Sequence, residues 1–195
     1  MNRIKEDFNT LTLVMIPVAI AINIAIGQIV YALKLPLYLD SIGTVLVGVL
    51  AGPWAGALTG LLSNLVWGVS GLNVAYTWYA PVAAVIGLLA GFFAQWGWFK
   101  TWWKVILGGL LTGLVAAILS APITAYVYGG VTGSGTDVIV AVFRNIGLGI
   151  LPSSFVQGVS SDPLDKAVSF LIVYLIIRGL PYRFVDRFPR SEAVS

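Results

Sequence analysis

The side chains of this sequence that could do chemistry are amides and aromatic rings, set in an otherwise apolar chain. Asn64 and Trp67 lie one helical turn apart. A denser polar and aromatic group follows them, made of Asn73, Tyr76, Trp78 and Tyr79. Planar ring compounds are bound by flat apolar surfaces with a few placed polar groups. The pattern is typical of a substrate pocket with its rim, and also of an interhelical hydrogen bond beside an aromatic belt.

Arg144 and Asn145 interrupt a second apolar segment, which Pro152 is expected to end. A charge there is unfavourable unless it is paired or hydrated. Two interpretations are open for this pair. Arg144 can extend to the lipid headgroups, or it can pair with Asp137, with Asp162 or with an anionic or carbonyl group of a ligand. Gln157 is a weaker candidate for ligand contact.

Acidic residues near the end of the chain are typical of a helix start. Asp162 is expected as the N-cap, Pro163 as the first helical residue and Asp165 as a first-turn acid. Capping and a favourable interaction with the helix dipole explain both acids, and ligand contact by Asp162, Asp165 and Lys166 is the alternative. Asp40 is likewise expected to cap a helix rather than to bind.

The usual catalytic groups are missing from the sequence. It contains no cysteine and no histidine, which excludes disulfides, thiol chemistry and the common soft metal sites. A Ser-His-Asp or Cys-His pair is excluded for the same reason. We therefore expect that the protein is not an enzyme and that it binds no cofactor and no metal.

Composition places the chain in a lipid bilayer. Of its 195 residues, 58% are hydrophobic and only 10% are charged, and the mean hydropathy is +0.94. These values predict a multi-pass protein of the cell membrane, an all-α, polytopic helix bundle that forms a single domain over residues 1–195. The net charge of +3 comes from basic residues at the membrane edges rather than in a patch, so no nucleic-acid partner is expected.

The stretch 36–68 must reverse direction. A single helix over residues 41–69 would be about 43 Å long, whereas the hydrocarbon core is about 30 Å thick. Gly52-Pro53 interrupts it, because proline lacks the N–H that a helix interior requires. Small residues at a spacing of four follow the turn and predict close helix packing: Gly52, Gly56, Gly60, Asn64 and Gly68.

With this hairpin the chain has about six transmembrane helices. They are expected near 10–33, 38–51, 53–70, 78–97, 104–128 and 162–178, with an extra outer helix near 137–150. Pro81 is expected in the first turn of the fourth, where a proline is tolerated.

The distribution of basic residues predicts the orientation. Arg3 and Lys5 precede the first helix, and arginines follow the last one. Because Lys and Arg near membrane ends prefer the cytoplasm, both termini and the turn at Lys100 and Lys104 are expected inside. The segments 34–40, 71–77 and 129–165, which carry most of the candidate side chains, are then expected on the outer face.

Several motifs together resemble a known family. The stretch LYLDSIGTVLVGVLAGPWAGALTG, the Asp-Pro-Leu-Asp-Lys segment with its Leu-Pro-x-Arg exit, and Ala21-xxx-Ala25 in the first helix are the residues that carry it. The chain is similar over nearly its whole length to the S component of energy-coupling factor (ECF) transporters, in the riboflavin-type group.

The resemblance implies a function and partners. An S component is the substrate-binding subunit of an ATP-driven importer, and it takes up a water-soluble vitamin or related micronutrient at its outer end. It works with a transmembrane coupling subunit, which Ala21 and Ala25 would contact, and with two cytoplasmic ATPase subunits. The sequence has no G-x-x-x-x-G-K-[ST] motif, so we expect it to hydrolyse no ATP itself.

The sequence also leaves two alternatives open. Ala21 and Ala25 could pack against a helix of the same chain. The protein could also be a self-sufficient secondary transporter or channel for a small organic solute, although the sequence shows no internal repeat and no acid deep in a predicted span. Riboflavin, pyrimidine or thiamin precursors, pyridoxine, pantothenate and queuosine precursors are all open as substrates.

Overall fold

The computed structural model describes residues 5–193, and these residues form helices without any strand. Arg3 lies outside the described residues. The main helices, in chain order, are α1 (Thr10–Ala32), α2 (Ile42–Ala51), α3 (Pro53–Val69), α4 (Ala80–Gln95), α5 (Trp102–Pro122), α6 (Asp137–Asn145), α7 (Ile150–Gly179) and the short α8 (Tyr182–Val185). A 3₁₀ segment, Val74–Tyr79, leads directly into α4, and a π-helical turn, Ile123–Val127, extends α5.

Three of the described helical segments are long and apolar enough to cross a membrane: Thr10–Ala32, Val74–Gln95 and Trp102–Val127. The protein is therefore an all-helical protein of the membrane type. α2 has 10 residues and α3 has 17, so each is shorter than these three. α7 is longer, but it carries Asp162, Asp165 and Lys166 in its middle.

The chain reverses direction at Gly52, as the sequence predicted. α2 ends at Ala51 and α3 begins at Pro53. Gly52 has a φ of 122°, a conformation that favours glycine, and a Cβ there would collide with the carboxylate of Asp7. Proline at the start of α3 needs no backbone N–H, which makes it a suitable first helical residue.

Small residues let the helices approach closely, also as predicted. A Cβ on Gly56 would lie 2.6 Å from the Cα of Gly48 and 2.7 Å from the carbonyl oxygen of Gly87, which brings α2, α3 and α4 together. The glycines of α5 do the same against α7. A Cβ on Gly109 would lie 2.7 Å from the carbonyl oxygen of Lys166. This contact fixes the charged middle of α7 against α5.

The prediction for the last helix is wrong. α7 begins at Ile150, so Asp162 and Pro163 lie inside it rather than at its start. A proline is tolerated inside a membrane helix when neighbouring helices accommodate the break, and Gly113 gives Pro163 room for close contact with α5.

The expected end of the outer helix is also wrong. Pro152 lies in the first turn of α7 and does not end α6. α6 stops at Asn145, just before Gly147 at a φ of 95°. Glycine adopts this conformation without strain, so it provides the break that was assigned to the proline.

The two ends of the bundle differ. One end gathers the end of α1, the start of α2, the end of α3 and the start of α4, and we call it the cavity end. The other, the terminal end, holds the Gly52 turn with Asp7 and the C-terminal tail. There Arg190 donates its backbone N–H to the carbonyl oxygen of Leu50 at 3.0 Å.

Candidate functional site

A cavity opens at the cavity end of the bundle. Its space not filled by atoms, counted out to its open mouth, is about 800 Å³. Four tyrosines contribute to its wall: Tyr31, Tyr38, Tyr76 and Tyr79. Small and branched apolar residues of α4 and α5 form its floor: Val82, Ala83, Ile86 and Ala116. Such a mixture of aromatic walls, an apolar floor and a few polar groups is typical of small-molecule sites.

Six of the ten residues predicted to contact substrate line this cavity: Asn64, Asn73, Tyr76, Tyr79, Asp162 and Lys166. They come from α3, the 3₁₀ segment and α7, which are far apart in sequence. Tyr79 shares a 2.7 Å hydrogen bond with the hydroxyl of Thr124, and the side-chain oxygen of Asn73 accepts a 3.1 Å bond from the backbone N–H of Ala75. The bond to Thr124 joins the 3₁₀ segment to the π-helical turn after α5, and the bond that Asn73 accepts caps the start of the segment.

Trp67 does not line the cavity, but it supports the wall. Its side chain is fully buried, and its ring stacks on Tyr76 with 3.8 Å between ring centroids and an angle of 8° between planes. Its indole N–H has no hydrogen-bond partner within residues 5–193. Trp67 therefore fixes the plane that Tyr76 presents to the cavity.

Trp78, Arg144 and Asn145 lie away from the cavity. All three side chains are exposed, with Arg144 and Asn145 at the surface of α6. Within the described residues no salt bridge involves Arg144, so the structure does not contain the pairing with Asp137 or Asp162 that one of the two interpretations included. Asp137 instead accepts the backbone N–H groups of Thr132 and Gly133, at 3.0 and 2.7 Å. The surface position of Arg144 agrees with the interpretation that it extends to the headgroup region.

Lys166 is the centre of a buried charge cluster beside the cavity. Its ammonium lies 2.5 Å from a carboxylate oxygen of Asp165 and 3.1 Å from one of Asp40, and it donates to the hydroxyl of Ser41 at 3.0 Å. Lys166 is 4% exposed and Asp165 is fully buried. Buried charges need partners of this kind, because burial removes their hydration.

Asp40 does not cap a helix and Asp165 does not lie in a first helical turn, contrary to prediction. The N-cap of α2 is Ser41, and Asp40 faces Lys166 instead. Asp165 lies in the middle of α7. Its second oxygen accepts the backbone N–H groups of Tyr38 and Leu39, both at 2.8 Å. Leu39 has a φ of 50°, which is unfavourable for a leucine, so Asp165 holds this segment in a strained conformation.

Tyr38 is a cavity residue that the sequence analysis missed. Its hydroxyl shares a 2.9 Å hydrogen bond with Thr136 and accepts another, also 2.9 Å, from the side-chain amide of Gln157. Gln157 itself lines the cavity, as do Asp40 and Ser41. No periodicity marks the segment around Tyr38, because it is not helical and its partners lie about 100 residues away or more in sequence. Its place in the LYLD motif was the available signal.

Asn64 brings an unpaired amide to the cavity. It is 5% exposed and lines the cavity, yet within residues 5–193 its side chain has no hydrogen-bond partner. Asn23, on α1, is the opposite case. Its amide donates to the hydroxyls of Thr44 and Ser63, both at 2.8 Å, and its oxygen accepts the backbone N–H of Gly43 at 2.7 Å. Asn23 thus joins three helices, whereas Asn64 keeps its donors and acceptor available.

Ala21 and Ala25 lie on the outer surface of α1. Both are exposed, as are Pro17 and Ile29 in the same row. The alternative that this pair packs against another helix of the same chain is therefore wrong. The row is open to lipid or to another protein.

Comparison of the chain with protein-family models, with curated proteins and with solved structures finds no match.

Proposed function

We propose that this protein is the substrate-binding subunit of an ECF-type, ATP-driven importer for a water-soluble vitamin or a related micronutrient. One observation carries the proposal. The bundle ends in a cavity with aromatic walls, which Asn64 lines with a side-chain amide that has no hydrogen-bond partner among the described residues. Such an amide is free to donate hydrogen bonds to a ligand and to accept one from it. A heterocyclic compound supplies both the hydrogen bonds and the ring that such a cavity needs.

The proposal includes six transmembrane segments with both termini in the cytoplasm. α2 spans only about 15 Å at the usual rise per residue, so residues 35–41 must complete its crossing. Non-helical backbone is tolerated at membrane depth where protein buries it, and Asp165 satisfies two N–H groups of this stretch. Lys100 lies at the terminal end, where its carbonyl oxygen accepts a bond from Arg178, so the basic residues gather there.

The exposed row on α1 is the proposed docking surface for the coupling subunit. Ala21 and Ala25 leave room for a second helix to approach closely. The energy for uptake would come from two cytoplasmic ATPase subunits, because the sequence has no P-loop.

A second candidate function has one observation in its favour. Asp162, Asp165 and Lys166 lie in the interior of a 30-residue helix rather than at its start, and all three are buried. Buried ionisable groups in membrane helices are typical of secondary transporters that couple uptake to ions. The self-sufficient secondary transporter therefore remains the alternative, with these residues as its coupling site.

Co-purification and uptake separate the two functions. The tagged protein is co-expressed with an ECF coupling subunit and its ATPases, and the complex is isolated and reconstituted into vesicles. We expect stable association and uptake that requires ATP on the side of the ATPases. The double substitution Ala21→Trp with Ala25→Trp should abolish association and uptake, whereas Leu114→Trp, on an exposed position of α5, should not. Uptake by the isolated protein under an ion gradient without ATP would instead establish the secondary transporter.

A further inference from the structure

Carboxylates outnumber cations at the cavity. Asp40, Asp162 and Lys166 line it, and the fully buried Asp165 lies directly behind Lys166. Lys166 is already engaged by Asp165 and Asp40 at salt-bridge distance. Within the described residues, no other lysine or arginine lines the cavity. One positive charge therefore faces three acidic groups in a region largely removed from water.

Asp162 is the acid that lacks a cation. It is 6% exposed and lines the cavity. Its hydrogen-bond partners are the hydroxyls of Ser120 and Ser161, each at 3.3 Å. These bonds are long for O–H···O contacts to a carboxylate, which are usually about 2.5–2.7 Å. Across residues 5–193, no Lys or Arg lies at salt-bridge distance from Asp162.

Two independent features of the same cavity also indicate a ligand with nitrogen donors. Asn64 presents an amide without a partner in the described part of the chain, which can accept a hydrogen bond from a ligand and donate another. The cavity also contains four tyrosine rings. Their faces attract cations, and cation–π contacts become stronger where water is excluded.

We propose that the substrate of this cavity is a planar heteroaromatic compound that carries a positive charge or an amidine-like N–H edge, and that Asp162 binds that edge. The inference rests on the proposed function and restricts its substrate class. A cationic nitrogen supplies the missing counter-charge for Asp162 and can donate shorter hydrogen bonds than the two serines. An anionic substrate would add negative charge to a cavity where acids already predominate, which is unfavourable.

Binding of three probe compounds to the full-length, detergent-purified protein tests the proposed substrate class. Thiamine is cationic and has an aminopyrimidine edge, riboflavin is neutral, and pantothenate is anionic. We expect thiamine to bind most tightly and pantothenate to bind most weakly in titration calorimetry. Tighter binding of riboflavin or pantothenate than of thiamine overturns the proposal, and so does the absence of thiamine binding.

Variants of Asp162 test whether this residue binds the substrate. Asp162→Asn should weaken thiamine binding at least about 30-fold, the change that corresponds to about 2 kcal/mol for a buried charge pair. Asp162→Glu should retain a substantial part of the affinity. Asp186→Asn makes the same charge change at an exposed site far from the cavity and should leave binding unchanged. Equal thiamine affinities for wild type and Asp162→Asn would contradict the role of Asp162.

The same samples keep this inference separate from the proposed function. ATP-dependent uptake with the coupling module, combined with loss of the expected probe order, rejects the substrate class and leaves the importer standing. Tight thiamine binding without any association with the coupling module supports the substrate class and rejects the importer.

A second variant keeps the test decisive should Asp162→Asn fail to fold. Ser120→Ala removes one of the two hydroxyl donors of Asp162 and leaves the carboxylate in place. It should change thiamine affinity more than riboflavin affinity, because only thiamine is expected to bind Asp162. An equal change for both compounds, or no change for thiamine, in titration calorimetry would contradict the assignment of Asp162.

Discussion

The two ends of the bundle both bury an aspartate, but they do so with opposite results. At the terminal end, Asp7 is fully buried and accepts the guanidinium of Arg190 at 2.9 Å and the backbone N–H of Trp54 at 3.2 Å. A cation and the start of a helix satisfy Asp7 there, and the same arginine also lies 3.5 Å from the exposed Glu6. At the cavity end, Asp40 and Asp165 share Lys166, and Asp162 is left with two serine hydroxyls.

The two ends also differ in the space beside their aspartates. A Cβ on Gly52 would collide with Asp7, so the terminal end has no room for an added group at this point. The cavity end has open space beside its acids, about 800 Å³ when the open mouth is counted. The comparison shows that a buried carboxylate alone does not identify a binding site. An acid without a cation, next to open volume and an unpaired amide, is the combination that indicates one.

The largest expected effect comes from removing the cation at each end. Lys166→Met leaves the buried Asp165 and the partly buried Asp40 without a counter-charge, and breaking a buried pair in this way costs about 3–5 kcal/mol. We expect a large loss of thermal stability. Arg190→Met removes a cation that is 22% exposed, so its effect should be clearly smaller. Thermal unfolding of both variants measures the difference, and a larger effect at Arg190 would contradict the comparison.

A smaller effect distinguishes the two buried asparagines. Asn23→Leu removes three hydrogen bonds that join α1, α2 and α3, and it leaves the N–H of Gly43 without its acceptor. We expect a loss of about 1–3 kcal/mol. Asn64→Leu removes an amide that has no partner in the described residues, so stability should be unchanged or raised. Thermal melting curves of the two variants measure this difference in stability. Equal destabilisation by both changes would remove the argument for a binding role of Asn64.

A third test compares the two aspartates directly. Asp7→Asn replaces a carboxylate that accepts a charge-assisted bond from Arg190, and we expect a loss of about 1–2 kcal/mol. Asp162→Asn replaces a buried carboxyl group that has no cation at salt-bridge distance among residues 5–193, so the apo protein should be as stable or more stable. Unfolding of ligand-free samples measures both. Destabilisation by Asp162→Asn that matches Asp7→Asn would assign Asp162 a structural role.

Local signals in the sequence predicted the parts of the fold that depend on local chemistry. Gly52-Pro53 predicted the hairpin, because few other conformations are open to that pair. Pro81 was expected in the first turn of α4 and lies there. The small residues of α3 predicted close helix packing, which Gly56 and Gly60 confirm.

The parts that the sequence did not predict depend on distant contacts. Asp162-Pro163 has the residue types of a helix start, yet α7 continues through it because α5 packs tightly against it at Gly113. Asp40 and Asp165 have the residue types of caps, but each makes contacts with a segment about 125 residues away. Local preference cannot show such pairings, since they depend on how the helices assemble.

The smallest effect concerns the aromatic wall at the cavity end. Trp67 is fully buried and does not line the cavity, but its stack with Tyr76 sets the plane of a ring that does. Trp67→Phe should weaken thiamine binding a few-fold, in line with about 0.5–1.5 kcal/mol for an aromatic pair. Trp78→Phe changes a ring that is 57% exposed and lies outside the cavity, so it serves as the matched control and should leave the dissociation constant unchanged. Titration of both folded variants with thiamine gives the two dissociation constants to be compared. An effect of Trp78→Phe as large as that of Trp67→Phe would mean that the stack does not position Tyr76, and that the wall is set by the 3₁₀ segment alone.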